Sequence, residues 1–255
     1  MEASFLGVPD VDVWLFALLS LTAFATTLVT TLTGAAGGLL LLAVMALFFP
    51  PAVLIPMHTL IQLGAVSSRA FLLRHFIEKS FLLPFFVGAA VGAALGAQIF
   101  VALPTGILQA ILAVFILFAA WVPSRVRVGS VRGRFAVLGF AATFVGIFVS
   151  ATGTLVAPVV AAAVDDRRRY TGTFGAVMTL VHLAKFIAFG VLGFAITAYA
   201  PLIAAMIASA VLANWAGRFF LDRMKENWFR SIFKVLLTAL ALRLMWVAAS
   251  DAGLF

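Results

Sequence analysis

The sequence predicts an all-α, polytopic membrane protein of two inverted repeats, each built from a broken or re-entrant helix pair plus three transmembrane helices. Three observations lead there. Of 255 residues, 65% are hydrophobic and only 10% charged, which leaves too little polar surface to coat a water-soluble globule of this size. The apolar residues arrive in blocks of about 18 to 22, the length a helix needs to cross a hydrocarbon core of ~30 Å. A small-residue interruption followed by a short apolar segment occurs once in each half of the chain. A membrane β-barrel is excluded, because residues 81–103 and 135–149 are apolar on every face instead of alternating.

Taken in order, the first half holds segments at 13–33, 37–48, 52–73, 81–103 and 105–122. The residues ahead of the first segment include Glu2, Asp10 and Asp12 but no Lys or Arg, so the basic n-region of a signal peptide is missing and the segment is expected to be retained as a helix. The second half repeats the order with segments at 135–150, 154–164, 170–193, 197–220 and 229–249. The second segment of each half is too short to cross the membrane at a rise of ~1.5 Å per residue. Each is therefore read as one arm of a broken hairpin that returns to its own side. The repeat also shows in the residues: Thr33, Gly34, Ala35, Ala36, Gly37 and Gly38 before one short segment are answered by Val149, Ser150, Ala151, Thr152 and Gly153 before the other, an offset of 115 between Gly38 and Gly153. Further on, His58 and Thr59 line up with Gly172 and Thr173. Duplication of this kind is typical of secondary transporters.

Charge decides how the halves are related. In the first half Arg69, Arg74 and Lys79 sit between the third and fourth segments, while the turns at 49–52 and 103–106 carry none. In the second half the pattern reverses: residues 194–200 are uncharged, whereas Arg167, Arg168 and Arg169 precede the third segment and Arg218, Arg223, Lys225 and Arg230 flank the turn after the fourth. Short loops rich in Lys and Arg stay cytoplasmic. Fourteen of the seventeen basic residues then lie on one face, the halves are inverted, and both termini are periplasmic. The divisions are a first transmembrane repeat at 1–124, a basic cytoplasmic linker at 125–134 and a second repeat at 135–255. The net charge of +8 is thus topogenic, and no nucleic-acid partner is expected, since the basic residues form no aromatic-interleaved domain.

Irregular backbone at membrane depth survives only where protein or a water-filled cavity surrounds it. The two breaks therefore point to a site. Gly34, Gly37, Gly38 and Gly153 permit close approach, and Thr33, Thr152 and Thr154 add hydroxyls. The short helices would aim their N-terminal N–H groups at the breaks, which suits an anion. Polar groups on the longer segments form a second tier: Thr59 and Gln62 in one, Thr173, His182 and Lys185 in its counterpart. Ionisable groups inside a membrane generally face a cavity or pathway. His182 titrates in the physiological range and is the candidate for a proton shuttle. Lys185, which shares a face with His182, either attracts the anion or reaches toward the outer interface. Gln98 and Asn214 read as interhelical hydrogen-bond partners, and Gly88, Gly92 and Gly96 as a helix-packing series. Arg243, inside the last segment, has no evident partner.

Several chemistries are excluded. There is no cysteine, so disulfides and thiolate metal sites are ruled out. The three histidines are too dispersed for a sequence-evident metal site, no phosphate-binding loop occurs, and no carboxylate lies within an apolar segment to complete a buried Ser-His-Asp set. No catalytic residue, metal or cofactor is assigned, and an enzyme is not expected.

The chain resembles the sulfite exporter TauE/SafE family of bacterial membrane proteins over nearly its whole length. The resemblance rests on the duplicated glycine-rich turn, here residues 34–38 and 151–158, the latter ending at Pro158. It rests also on Met57, His58, Thr59 and Leu60 with their counterpart Thr171, Gly172, Thr173 and Phe174, and on Leu73, Arg74 and His75. It implies a secondary transporter of the bacterial inner membrane, an exporter of sulfite, an organosulfonate or a related sulfur-containing anion. The expected partners are that small anion, the lipid bilayer and a coupling ion, proton or sodium. A passive anion channel and a nontransporting membrane scaffold are the alternatives. Opposing-gradient flux separates the first from a transporter; the short loops, of about 10 to 12 residues, argue against the second, because connections this short offer little partner surface.

Overall fold

The computed structural model describes residues 4–33, 37–121, 133–194, 196–219, 238–239, 241–243 and 245–246. These residues are helical almost throughout. The helices are α1 (Val13–Thr33), α2 (Gly37–Met45), α3 (Pro51–Leu72), α4 (Leu82–Ala102), α5 (Thr105–Trp121), α6 (Arg134–Val149), α7 (Gly153–Ala161), α8 (Arg167–Val191) and α9 (Ala200–Gly217). Five of them, α1, α3, α4, α8 and α9, are long and apolar enough to cross a membrane once the 3-10 turns leading into α4 and α9 are included. The chain is a polytopic, multi-pass membrane protein. Exposed Trp14, Trp121 and Trp215 stand near the ends of α1, α5 and α9, as interfacial aromatic residues do.

Element boundaries follow local chemistry. Asp12 Oδ1 accepts from the Leu15 N–H at 2.7 Å and caps α1. Pro51 opens α3, where its missing N–H costs nothing. Asp166 Oδ1 accepts from the Arg169 N–H at 2.9 Å, and this cap starts α8 at Arg167, three residues before the segment expected from hydropathy. The three arginines form the first turn of a helix and not a loop. Arg69 also departs from the charge map. It belongs to the last turn of α3 and is 3% exposed, so its charge is inside the bundle. Arg134, taken as the end of the linker, is the first residue of α6. Residues 125–132 of that linker lie outside the described residues, as do most of the expected segment 229–249 and Arg223, Lys225 and Arg230.

The short segments are both nine-residue helices, α2 and α7. At a rise of ~1.5 Å per residue neither reaches halfway across a ~30 Å core. Packing follows the duplication. At the centre α3 lies on α8; α4 packs on α6 and α8, and α9 correspondingly on α1 and α3. The α4–α6 contact is a backbone contact: a Cβ on Gly88 would meet the Ala136 carbonyl, one on Gly92 the Phe140 carbonyl, and one on Gly139 the Phe85 carbonyl. The series Gly88, Gly92 and Gly96 thus packs α4 against α6, the role read from its spacing.

The buried apolar residues form two clusters. One includes Leu39, Leu42, Ile55, Ile61 and Ala151, the other Val66, Phe85, Phe174, Met178 and Val181. Where they meet, polar groups replace apolar ones.

Candidate anion-binding site

A narrow cavity of about 40 Å³ occupies that seam. Its walls come from α1 (Thr27, Thr30), α2 (Gly38, Leu39), α3 (Gln62, Val66, Arg69), the second break (Ser150, Ala151), α7 (Gly153, Thr154) and α8 (Phe174, Met178, His182). The N-terminal residues of both short helices therefore face one space. The first turn of a helix leaves N–H groups without intrahelical acceptors and carries the positive end of the dipole. Around the second break, Thr152 Oγ1, Thr154 Oγ1 and His182 Nδ1 are buried and have no hydrogen-bond partner. Buried polar atoms are ordinarily paired, so three unpaired ones around one break are unusual.

The cation in the cavity wall is Arg69. Asn214 of α9 orients it: Oδ1 accepts from the Arg69 Nε–H at 3.3 Å, while the Asn214 amide donates to the Ala65 carbonyl at 2.6 Å and to Ser68 Oγ at 2.8 Å. Thr31 of α1 also lies against Asn214, its hydroxyl 2.6 Å from Oδ1. Arg69 Nη1 is left buried without a partner. None of the nine Asp and Glu residues lies inside α1–α9. A buried charge stays charged only when paired and hydrogen-bonded. Among the described residues, the helices offer Arg69 no carboxylate.

A second polar cluster closes one end of the cavity. Ser150, at φ 57° in the left-handed region, ends α6 and gathers three neighbours: Lys185 Nζ donates to its Oγ at 3.0 Å, His58 Nδ1 lies 2.9 Å away and Thr59 Oγ1 3.4 Å. His58 Nε2 is 2.9 Å from the Gly38 carbonyl. A carbonyl only accepts, so Nε2 carries the proton and donates, and neutral His58 must accept at Nδ1 from the Ser150 hydroxyl. The bonds then run in one direction, Lys185 to Ser150 to His58 to Gly38. This chain joins α8 and the second break to α3 and the first.

Residues 19–244 match the family model described as sulfite exporter TauE/SafE. The chain belongs to this family. No curated protein and no solved structure matches it. TauE/SafE proteins are membrane transporters.

Of the residues singled out in this TauE/SafE chain from sequence, Gly38, Gln62, Gly153, Thr154 and His182 line the cavity. Thr59 and Lys185 stand behind it, joined through Ser150. Thr152 is buried at the N-cap position of α7. Gly37 faces α1, where a Cβ would meet the Thr26 carbonyl and Thr30 Oγ1. Thr33 is the last residue of α1, and Gly34 lies outside the described residues. Thr173 is elsewhere: its Oγ1 accepts from the Glu78 N–H at 2.9 Å and holds the α3–α4 connection against α8, because the residue sits only two turns into α8. Lys185 is fully buried and bonded inward, so it does not reach for the outer interface. Asn214 makes the interhelical bonds expected of it, whereas Gln98 is exposed. Sequence reasoning missed Arg69, Ser150 and His58 as site residues. Arg69 was grouped with loop charges, although an apolar stretch continuing to Leu72 was the available sign that it is intramembrane.

Proposed function

We propose that this TauE/SafE member is a secondary transporter that exports a compact sulfur-containing oxyanion, sulfite in preference to a bulky organosulfonate. One observation carries the reading: Arg69, with an unpartnered guanidinium nitrogen, and the N-termini of two short helices line one cavity in which no carboxylate stands among the described residues. Guanidinium forks and helix N-termini both favour oxyanions. The small volume supports a compact guest, since one water already needs ~10–15 Å³ of such space. Alternating access would come from rocking the two halves, taken as inverted, about the α3–α8 contact. The exchange-related packing of α4 on α6 and α9 on α1 supports inversion. Reporter fusions should put the turns at 103–106 and 218–230 on opposite faces, with both termini periplasmic in a bacterial inner membrane; the same face for both turns overturns this topology.

A passive anion channel is the rival reading. The deciding experiment is sulfite flux in proteoliposomes against an opposing gradient, with sulfate and a small sulfonate as competitors. Uphill sulfite movement driven by a second gradient supports a coupled carrier; flux that only dissipates gradients sinks it. His182, facing the cavity with Nδ1 unpartnered, is the group proposed to take up a coupling proton. H182Q should abolish pH-driven uptake while sulfite exchange continues, and unchanged coupling in that variant removes His182 from this role.

A further inference from the structure

The face of α3 that borders the central cavity carries Gln62, Val66 and Arg69, and His58 stands one turn ahead of Gln62 on the same face. The two side chains therefore meet. Gln62 Nε2 lies 3.4 Å from His58 Nε2, and the Gly38 carbonyl lies 2.9 Å from the same ring nitrogen. Gly38 also makes room for the Gln62 amide, since a Cβ there would collide with its Nε2. His58, Gln62 and Gly38 thus form one contact set at the edge of the cavity.

The proton on that ring nitrogen decides how the amide must lie. A carbonyl at 2.9 Å requires a hydrogen on His58 Nε2, whether the ring is neutral or charged. The other tautomer, with a bare Nε2 accepting from Gln62, would turn its lone pair against the Gly38 carbonyl, the closer of the two contacts. With the hydrogen on Nε2, an amide nitrogen 3.4 Å away is a donor facing a donor, and the two cannot bond. The ends of an amide are nearly equal in size, and their identity follows from the bonds they can make. Half a turn about the last side-chain bond puts Oε1 against the His58 N–H, as a second acceptor next to the Gly38 carbonyl. The same rotation carries the N–H₂ group to the side away from His58.

We propose that Gln62 is a second anion donor of the central site, its amide turned by His58 so that the N–H₂ group faces the cavity. The proposal rests on the anion-transport reading above and deepens it. An amide oxygen facing the cavity would meet an oxyanion acceptor to acceptor, whereas the turned amide meets it with N–H groups. Arg69 then supplies charge from one end of this face of α3, and Gln62 a neutral donor from the end nearer His58. His58 touches no anion in this arrangement. It is a positioning residue, fixed by the Gly38 carbonyl and acting on the ligand through Gln62.

Nitrogen NMR of the full-length protein, isotopically labelled at its three histidines, reads the tautomer, with H75Q and H182Q identifying the other two signals. His58 should carry a hydrogen on Nε2; a bare Nε2 with the hydrogen on Nδ1 overturns the amide orientation and the proposal. Sulfite affinity in phosphatidylcholine nanodiscs, followed as a rise in melting temperature, tests the amide itself. Q62M should weaken the apparent Kd by up to about tenfold. Q62E, which turns a negatively charged acceptor to the cavity, should weaken it further. Wild-type affinity in Q62M, or affinity in Q62E equal to or tighter than wild type, overturns Gln62 as a donor, while sulfite binding by the wild type leaves the anion-transport reading standing. H58F should cost affinity in the wild-type background but little in Q62M, because nothing is left for His58 to orient. An equal cost in both backgrounds overturns the positioning role. If H58F melts too early for binding to be read, the tautomer of the wild type still decides. Wild type without any sulfite-dependent rise sinks the anion-transport reading itself, and the Gln62 donor with it.

Discussion

Each half of this chain contributes one buried cation from its central helix, and the two are treated differently. The offset of 115 residues that superposes the glycine breaks carries Arg69 to within one residue of Lys185. Yet Arg69 borders the cavity with an Nη1 that has no partner, while Lys185 is tied to Ser150. The same contrast holds at the breaks. Gly38 lends its carbonyl to His58, whereas Ser150 of the second break collects a lysine, a histidine and a threonine. A structure duplicated in its helix packing is therefore asymmetric in its polar contacts. Under the alternating access proposed above, a single state would leave one half's cation available to substrate and the other tied. The comparison yields a rule for mutants: changes at Arg69 should act on ligand and changes at Ser150 on the fold.

The largest effect is expected at Arg69. R69Q removes the cation that the described residues place in the wall of the central cavity, and charge-assisted hydrogen bonds of this kind contribute about 1.5–3 kcal/mol. Sulfite affinity, read from calorimetric titration, should fall roughly tenfold to a hundredfold. The ligand-free protein should melt no earlier than wild type, because a buried charge without a counter-charge has been removed. R69K, which keeps the charge but lacks the Nε–H that Asn214 accepts, should fall between the two. A large drop in ligand-free melting temperature with unchanged affinity would reverse the roles assigned to the two cations.

Ser150 should give the opposite pattern. Its left-handed φ is tolerated by glycine without strain, so S150G deletes the hydroxyl and leaves the backbone at ease. Lys185 then loses the acceptor of its Nζ–H, and His58 loses the donor to Nδ1. Leaving such groups unsatisfied costs about 1–3 kcal/mol, less about 1–2 kcal/mol regained by relieving the left-handed serine. A lower melting temperature, by a few degrees, should accompany sulfite affinity within a few-fold of wild type. Equal loss of affinity in S150G and R69Q would mean that the two clusters act as one site and that the contrast between them is only positional.

How much of this could be read in the sequence follows from what each signal measures. Hydropathy gave α1, α3, α4 and α9 to within a few residues, because burial in lipid acts on every residue of a segment. The breaks were legible because glycine and threonine clusters interrupt an otherwise apolar pattern twice at one spacing. Charge counting misled at Arg69, since a loop charge and an intramembrane charge three residues from a helix end look alike until the helix is seen to run to Leu72. Ser150 was visible only as part of the repeat; nothing in its neighbours along the chain shows that α3 and α8 bring His58 and Lys185 to it. Thr173 shows the converse, for its match to Thr59 in the repeat was real in sequence, but the partner brought to it is the Glu78 backbone. Repeat position predicted where side chains sit on their helices and not what they meet.

The smallest expected effect is at the surface, where the halves also touch. Glu78, in the α3–α4 connection, pairs with Arg169 of α8 at 2.6 Å, and its carboxylate also accepts from the Ser80 hydroxyl at 2.7 Å. These bonds, those from Ser80 first and the Arg169 charge after them, hold the Glu78 carboxyl below its usual value. A carboxyl lowered on folding adds stability above its unfolded pKa of about 4.3 and loses it as pH falls through the folded value. The pair is solvent-exposed, so salt should screen it. E78Q should therefore melt slightly earlier than wild type at neutral pH and low salt, with the gap closing both in acid and in high salt. Because the Glu78 N–H to Thr173 bond survives the substitution, the connection itself should stay in place and sulfite affinity should not change. If E78Q altered affinity, the Arg69 side of the cavity would be coupled to this surface pair, and the free cation in the wall would owe its position to more than Asn214.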